Sequence, residues 1–481
     1  MSAAGTQGIP FRVGWAVQPG LKPTRLAEWF VILEFVCQLA LLSDSLSALR
    51  LFWRTAVFAT SLCLVAVIRR PVRAHPAAGP ALWVMAILAL GLLNPELNSY
   101  LGAAAQGAMY LAILGPLFWA SRLRIDPAEV RRVLVLEWIF HAASAAVGIL
   151  QVYFPGRFQP HMSAVMAAPG EETLEELTYV NAFGQRVFRP MGLTDVPGGA
   201  AFAGQSAVLL GLFFFVSEAR AGMRLLAAAT VVIGFTCIYL SQERVALAVT
   251  IITAGWFVLL LVLRSGQARA MLARLKRLRA RAVAAAVLAF VLAVVAFSWA
   301  AGVGGEAVSK RFSTLLPSQA SQTYQQSRGG FLRWTFEEGL WRYPLGAGPG
   351  RWGMMYYYFG DHSAKASPPL WAEIQWQGWL LDGGLPLMAA YLAALWAAFR
   401  FAWRLARNQW SVPLAAMGAF VFAWNVGGLA ATFDADVFNS QGGLEVWLLN
   451  ALVFAAARET FAARGSPMPP VRTTASSPAG S

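Results

Sequence analysis

The residues of this chain best suited to chemistry are arginines standing among apolar segments. Arg244 closes the tight turn Ser241-Gln242-Glu243-Arg244 and heads an otherwise apolar stretch. An ionisable residue in such a place is a functional candidate by default. The plainer reading is an ion pair with Glu243, or a side chain that snorkels to a membrane surface. Further cations (Lys310, Arg311, Arg328, Arg333, Arg342, Arg351 and Lys365) crowd with many aromatics into one long segment between apolar runs. A guanidinium is always charged and presents a planar fork that fits phosphate. Several converging arginines would suit a lipid-linked pyrophosphate, its head among the loops and its hydrocarbon tail between helices.

Other candidates have simpler readings beside the chemical one. Asp434 and Asp436 form a D-x-D pair that can hold a divalent ion, but a solvated turn also accounts for them. Glu34 and His141 fall inside apolar runs, where hydrogen-bonded packing roles are expected. Gly346-Ala347-Gly348-Pro349-Gly350 is not a nucleotide loop, because it lacks the strand before and the helix after that such a loop requires. A tight backbone turn that lets its segment pack over a cavity is expected instead. No His/Cys cluster has metal-ligand spacing, so neither a metal nor a cofactor is expected. Cys37, Cys63 and Cys237 are odd in number, show no C-x-x-C spacing and lie in apolar segments. They read as packing residues.

The elements that carry these residues are membrane helices. Of 481 residues, 58% are hydrophobic and 13% charged, too little charge for a soluble surface of this size. A spanning helix needs about 20 apolar residues. Twelve such helices are predicted, over 27–43, 51–68, 80–94, 101–120, 133–154, 198–217, 223–240, 244–263, 283–301, 374–398, 411–431 and 443–458, the first three short. The fold class is therefore all-α, a polytopic membrane bundle.

Alternate connections carry Arg69, Arg70 and Arg73; Arg122, Arg124, Arg131 and Arg132; Arg220 and Arg224; and Arg400, Arg404 and Arg407. The same set holds the run from Arg264 to Arg281, with seven Lys/Arg and no acid. Short Lys/Arg-rich connections mark the cytoplasmic side, which places an arm over 1–26 and a disordered, Pro/Ser/Ala/Thr-rich tail over 464–481 there too. Arg50 and Arg54 are the exception, at the outer end of the second helix. The net charge of +14 then reflects orientation and attraction to anionic lipid. Nucleic acid is not an expected partner, since the basic segments lack interleaved aromatics. Two outer connections, 155–197 and 302–372, are too long to be mere links. The second is expected to contain short amphipathic helices, with Phe331, Trp334, Thr335 and Glu338 at helical spacing.

Four ordered patterns make the chain resemble the O-antigen ligase and O-antigen polymerase superfamily of bacterial membrane proteins. They are Arg189-Pro190-Met191-Gly192-Leu193; Leu240-Ser241-Gln242-Glu243-Arg244, with Glu243 where that family has Ser; Arg328 followed by Trp334, Pro344, Leu345, Gly346, Gly348 and Gly350; and the segment from Glu373 to Gly384. The resemblance covers roughly residues 188–391. It implies a metal-independent glycosyltransferase of the bacterial inner membrane, with both termini cytoplasmic and the active site periplasmic. The donor would be a glycan on undecaprenyl pyrophosphate and the acceptor another lipid-linked glycan. Membrane lipids, a flippase and a chain-length regulator are the further partners implied. Arg189, Arg244 and Arg328 would hold the departing pyrophosphate.

The chain departs from the ligase pattern, in which a His precedes the final Gly of the long segment by about eleven residues. Here that position is Glu373, and His362 lies a further eleven upstream. Either Glu373 takes the place of the His, or His362 reaches the site through a longer loop. A carboxylate fits a polymerase, building a surface or secreted polysaccharide, better than a ligase that transfers glycan to a lipid A core. A lipid-linked oligosaccharide flippase or transporter is the alternative from another class. It would be expected to carry internal repeats and polar midplane helices, and no repeat is evident.

Overall fold

The computed structural model describes residues 23–160, 175, 177–263, 269–408 and 411–464. The predicted arm, all but one residue of the predicted tail, and the middle of the 155–197 connection lie largely outside these residues. Twelve long helices appear in the predicted order: α1 (Pro23–Leu41), α2 (Arg50–Val67), α3 (Ala78–Gly91), α4 (Tyr100–Leu114), α5 (Pro127–Tyr153), α6 (Gly199–Ser217), α7 (Ala221–Leu240), α8 (Arg244–Val262), α9 (Arg269–Gly304), α10 (Gln375–Ala406), α11 (Val412–Ala431) and α12 (Gln441–Ala463). Among the described residues, ten spans are long and apolar enough to cross a membrane. The other two helices are α1, which carries Arg25, Glu28 and Glu34, and α3, only 14 residues long. The protein is a multi-pass helical membrane bundle.

Lipid-facing and protein-facing surfaces divide as a bilayer demands. On α9, Val283, Val287, Phe290, Val291, Val294 and Val295 are exposed, whereas Ala282, Ala285, Ala289, Ala296 and Ala300 pack inward. Without a hydrophobic drive between helices in lipid, small residues and buried polar pairs hold the bundle. A Cβ on Gly204 of α6 would lie 2.7 Å from the Gly234 carbonyl of α7, so these two helices touch backbone to backbone. Asn425 and Asn450 exchange amide hydrogen bonds of 3.0 and 2.6 Å between α11 and α12.

Several boundaries differ from expectation for local reasons. α5 starts at Pro127, not near 133, because Asp126 and Glu129 form a reciprocal capping box with proline at the first helical position. α4 gives way at Gly115-Pro116 to short 3-10 turns. The basic run, expected as a connection, is helical from Arg269 onward. Cys63 is exposed, unlike the buried Cys37 and Cys237, so it is not a packing residue inside the protein.

The two ends of the bundle differ in kind. One carries the arginine-rich turns, where Arg131 pairs with Glu218, Arg132 Nε donates to Glu28 at 2.6 Å, and Arg458 donates to the carbonyls of Ser121 and Leu123. The other, the loop end, carries both long connections. The first holds a small antiparallel hairpin, β1 (Thr178–Val180) with β2 (Arg186–Phe188), which the all-α reading did not include. The second contains the expected short helices, among them Glu306–Ser313, Pro317–Tyr324 and Gly353–Phe359. Helix from 317 to 342 is nearly continuous, with π-turns at Gln325–Gly329 and Thr335–Gly339.

Candidate functional site at the loop end

Arg189 is delivered by the hairpin. Its backbone N–H donates to the Leu177 carbonyl at 2.9 Å, extending the ladder by one residue. Tyr179 OH donates to the Leu240 carbonyl at 2.7 Å, pinning the hairpin to the end of α7 just before the Ser241–Arg244 turn. Asn181 Nδ2 donates to the Val152 carbonyl, fixing the other edge to α5. The following Pro-Met-Gly-Leu is clamped by Gln151 of α5. Its Oε1 accepts from the N–H groups of Met191 and Gly192, and its Nε2 donates to the Gly192 carbonyl. Gly192 has φ +65, and a Cβ there would meet Ser144 Oγ at 2.6 Å. Both conformation and space require glycine.

Arg244 is set by a strained turn. Gln242 is the one non-glycine residue at positive φ (57°) among those described, a conformation that persists only when its surroundings enforce it. Those surroundings are the first helix of the long loop. Arg311 Nε donates to the Gln242 carbonyl at 3.3 Å, and Arg244 Nη1 donates to Thr314 Oγ1 at 2.8 Å. The plainer reading of Arg244, an ion pair with Glu243, does not hold as a direct contact: Glu243 pairs with Arg189, whose Nη1 donates to its Oε1 at 3.0 Å. Burial first, and then the neighbouring Arg244 and Arg189 charges, push Arg311 down to about 10.

Arg328 lies in the first π-turn, an irregularity frequent at functional sites. It pairs with Glu373 and reaches Asp434 Oδ1 from Nε at 3.6 Å. Asp434 joins the two halves of the site. Burial, then the Glu243 charge, push its carboxyl up to about 6, and Arg328 and Arg244 hold it back. Arg189, Arg244, Arg311 and Arg328 thus share one electrostatic neighbourhood with Glu243, Asp434 and Glu373, one cation in excess. Neither aspartate of the D-x-D pair sits in a freely solvated turn, and they diverge. Asp434 faces the arginines, while Asp436 accepts from Asn439 Nδ2 at 3.1 Å and is pushed up to about 8 by burial and the nearby Asp382.

The remaining named residues sort by contact. Glu373 sits at the arginines. His362 does not: it is exposed, its Nε2 3.3 Å from the Tyr357 carbonyl and its ring against Tyr356, on a loop tied by Asn98 and Ser99 to the start of α4. Arg50 and Arg54 neither snorkel nor signal a wrong boundary, since both bind Asp195, at 2.6 and 2.5 Å. The glycine-rich run packs onto the kink of α10 rather than over the cavity described next. There Gly383 and Gly384 leave helical geometry ahead of Pro386. Ala347 N–H donates to the Leu381 carbonyl, Leu385 N–H donates to the Pro344 carbonyl, and a Cβ on Gly346 would lie 2.8 Å from Gly383 Cα. The third and fourth sequence patterns are thereby two halves of one joint.

Beside the charged cluster a cavity of about 370 Å³ enters the bundle. Asp195, Val196, Ala435 and Asp436 line its loop end, and Phe202, Leu209, Thr253 and Trp424 line it further in. Small residues at Gly199, Ala203, Gly427, Gly428 and Ala431 leave the space. Gly198, next to this lining, is the residue whose Cβ would meet Glu243 Oε1 at 2.9 Å, so the cavity adjoins the arginine cluster.

Sequence reasoning missed Arg311 as a site residue, Gln151 as the clamp, Asp195 as the partner of two arginines, and the true partners of Glu243 and Asp434. Glu34 and His141 are buried as expected; Glu34 lacks the expected hydrogen bonds among the described residues, and His141 has only long contacts to Glu137 and Glu445, at 3.4 and 3.6 Å. No protein-family model matches the chain, and no curated protein matches it in sequence.

Proposed function

We propose that this chain is a glycosyltransferase that polymerises glycan repeat units carried on undecaprenyl pyrophosphate. The observation that carries the proposal is the gathering of Arg189, Arg244, Arg311 and Arg328 at one end of the bundle, against a mostly apolar cavity. An amphiphile with a diphosphate head and a hydrocarbon tail matches that pairing of surfaces. In the reaction, an acceptor hydroxyl attacks the anomeric carbon. The new C–O bond forms as the bond to the pyrophosphate breaks, and the electron pair leaves with the diphosphate. Negative charge grows on the leaving group, so fixed guanidiniums beside it stabilise the transition state more than the ground state. Glu373, paired with Arg328, is placed to take the hydroxyl proton.

The arginine-rich turns at the opposite end favour a cytoplasmic location for that end, which supports a site on the periplasmic face of a bacterial inner membrane. Glu373 at the cluster, with His362 apart from it, favours polymer growth over transfer to lipid A core. A flippase delivering the donor and a chain-length regulator are the protein partners this reading needs. In cells that make the polymer, Arg189→Ala and Arg244→Ala should abolish it while protein level and membrane insertion stay normal. Wild-type polymer from both variants removes the proposal.

A further inference from the structure

A second cluster of ionisable residues lies inside the bundle, away from the arginines. Glu137 and His141 sit one turn apart on α5, Glu445 faces them from α12, and Glu34 of α1 is within electrostatic reach of Glu445 and Glu137. They are 1%, 8%, 6% and 0% exposed, in that order. Burying several carboxylates in a membrane protein is costly unless each is paired or bound to a cation. Here that compensation is only partial, since one imidazole stands at 3.4 and 3.6 Å from two carboxylates and Glu34 has no cation beside it. Both oxygens of Glu34, both of Glu137 and both ring nitrogens of His141 have no hydrogen-bond partner among the described residues.

The spacing identifies what fits between them. His141 Nε2 stands 3.4 Å from Glu137 Oε2 and 3.6 Å from Glu445 Oε2, too far for good hydrogen bonds. Donor atoms bound at 2.0–2.2 Å around a tetrahedral ion lie about 3.3–3.6 Å from one another. One donor atom each from Glu137, His141 and Glu445 falls within a 4.8 Å group. Residues i and i+4 of a helix share a face, so α5 supplies two ligands and α12 the third. His141 and Glu445 also line the cavity, which gives an ion a route in from the loop end.

We propose that Glu137, His141 and Glu445 bind one divalent transition-metal ion, with Glu34 supplying further negative charge beside it. One imidazole with carboxylates suits Zn²⁺ and its neighbours better than Mg²⁺ or Ca²⁺, which take all-oxygen shells. The ion ties α5 to α12 at a point where the described residues offer only the 3.6 Å contact of His141 with Glu445. This site does not rest on the glycosyl-transfer reading, and it stands or falls separately.

The test uses the full-length protein, purified, stripped with chelator and dialysed against Zn²⁺ alone. About one Zn²⁺ per chain is expected. His141→Gln and Glu445→Gln should each weaken binding at least tenfold, and exposed Asp361→Asn should not change it. X-ray absorption of the Zn²⁺-loaded wild-type chain is independent of whether the variants fold. It should report one nitrogen and two or three oxygens at about 2.0–2.2 Å. Absence of bound Zn²⁺, as expected if protons alone fill the cluster, overturns the proposal. So does undiminished binding in both folded variants, or a ligand shell containing sulfur.

Discussion

Replacing Arg244 with alanine should weaken binding of a polyprenyl pyrophosphate by about 30- to 150-fold and leave the bundle folded. Arg244 heads α8 above the strained Gln242, and one of its five donors is taken by Thr314 at 2.8 Å. Among the described residues its other N–H groups make no hydrogen bond, which leaves them for a phosphate. Hydrogen bonds to charged groups contribute about 1.5–3 kcal/mol each. A two-pronged contact at this half-buried site, discounted for partial solvent screening, comes to about 2–3 kcal/mol, and every 1.4 kcal/mol is about tenfold in affinity. The fold should lose little. The Thr314 bond contributes about 1 kcal/mol, and removing one cation relieves the crowding on Arg189 and Arg311. The assay is calorimetric titration of geranylgeranyl pyrophosphate into protein in lipid nanodiscs. Arg189→Ala serves as a second variant and exposed Lys365→Ala as control. If Arg244→Ala and Arg189→Ala both bind like the wild type at an unchanged melting temperature, the cluster is not a diphosphate site.

Three further outcomes follow from the geometry. Asp434 is pushed up to about 6, so it competes for Arg328 as an anion above that pH and stops competing below it. Diphosphate affinity should therefore rise as pH falls from about 7 to 5.5, and Asp434→Asn should flatten the part of that rise not due to the ligand's own titration. Asp195 sits between Arg50 and Arg54 with only 11% of its side chain exposed. Its replacement by alanine should cost about 2–4 kcal/mol by stranding two guanidiniums, whereas Arg50→Ala should cost about 1 kcal/mol or less because Arg54 remains; thermal unfolding in detergent compares them. Gly384 has φ +65, and a Cβ there would collide with the Pro344 carbonyl. Gly384→Ala should cost more than about 3 kcal/mol and release the 344–350 run, seen as new protease cleavage in that segment.

Hydropathy located all twelve helices because each span must satisfy its backbone internally and present apolar side chains to lipid. It could not show that α9 already runs at Arg269. The arginines that read as a connection are compatible with helix, and average hydropathy is blind to that. The start of α5 was legible in Asp126-Pro127-Ala128-Glu129, but the apolar run behind it drew the boundary too late. At the site, the arginines stand out because charge is conspicuous among apolar residues. Their partners do not. Glu243 adjoins Arg244 in sequence yet binds Arg189, because the turn at Gln242 points the two side chains apart. Asp434 meets Arg328 across more than a hundred residues, and no local pattern encodes that. The Glu137–His141 spacing was visible as i, i+4 on one helix face, but Glu445 comes from the last helix and only the packed bundle brings it near.

The most direct test of the central claim is reconstitution. Purified protein would be given lipid-linked repeat units as the only glycan, with no lipid A core. Growth of longer lipid-linked chains, matched by release of undecaprenyl pyrophosphate and lost in Arg244→Ala, is the expected result. Repeat units returned unextended by a folded protein that nevertheless binds them, or extension undiminished in the Arg244 variant, would contradict the account.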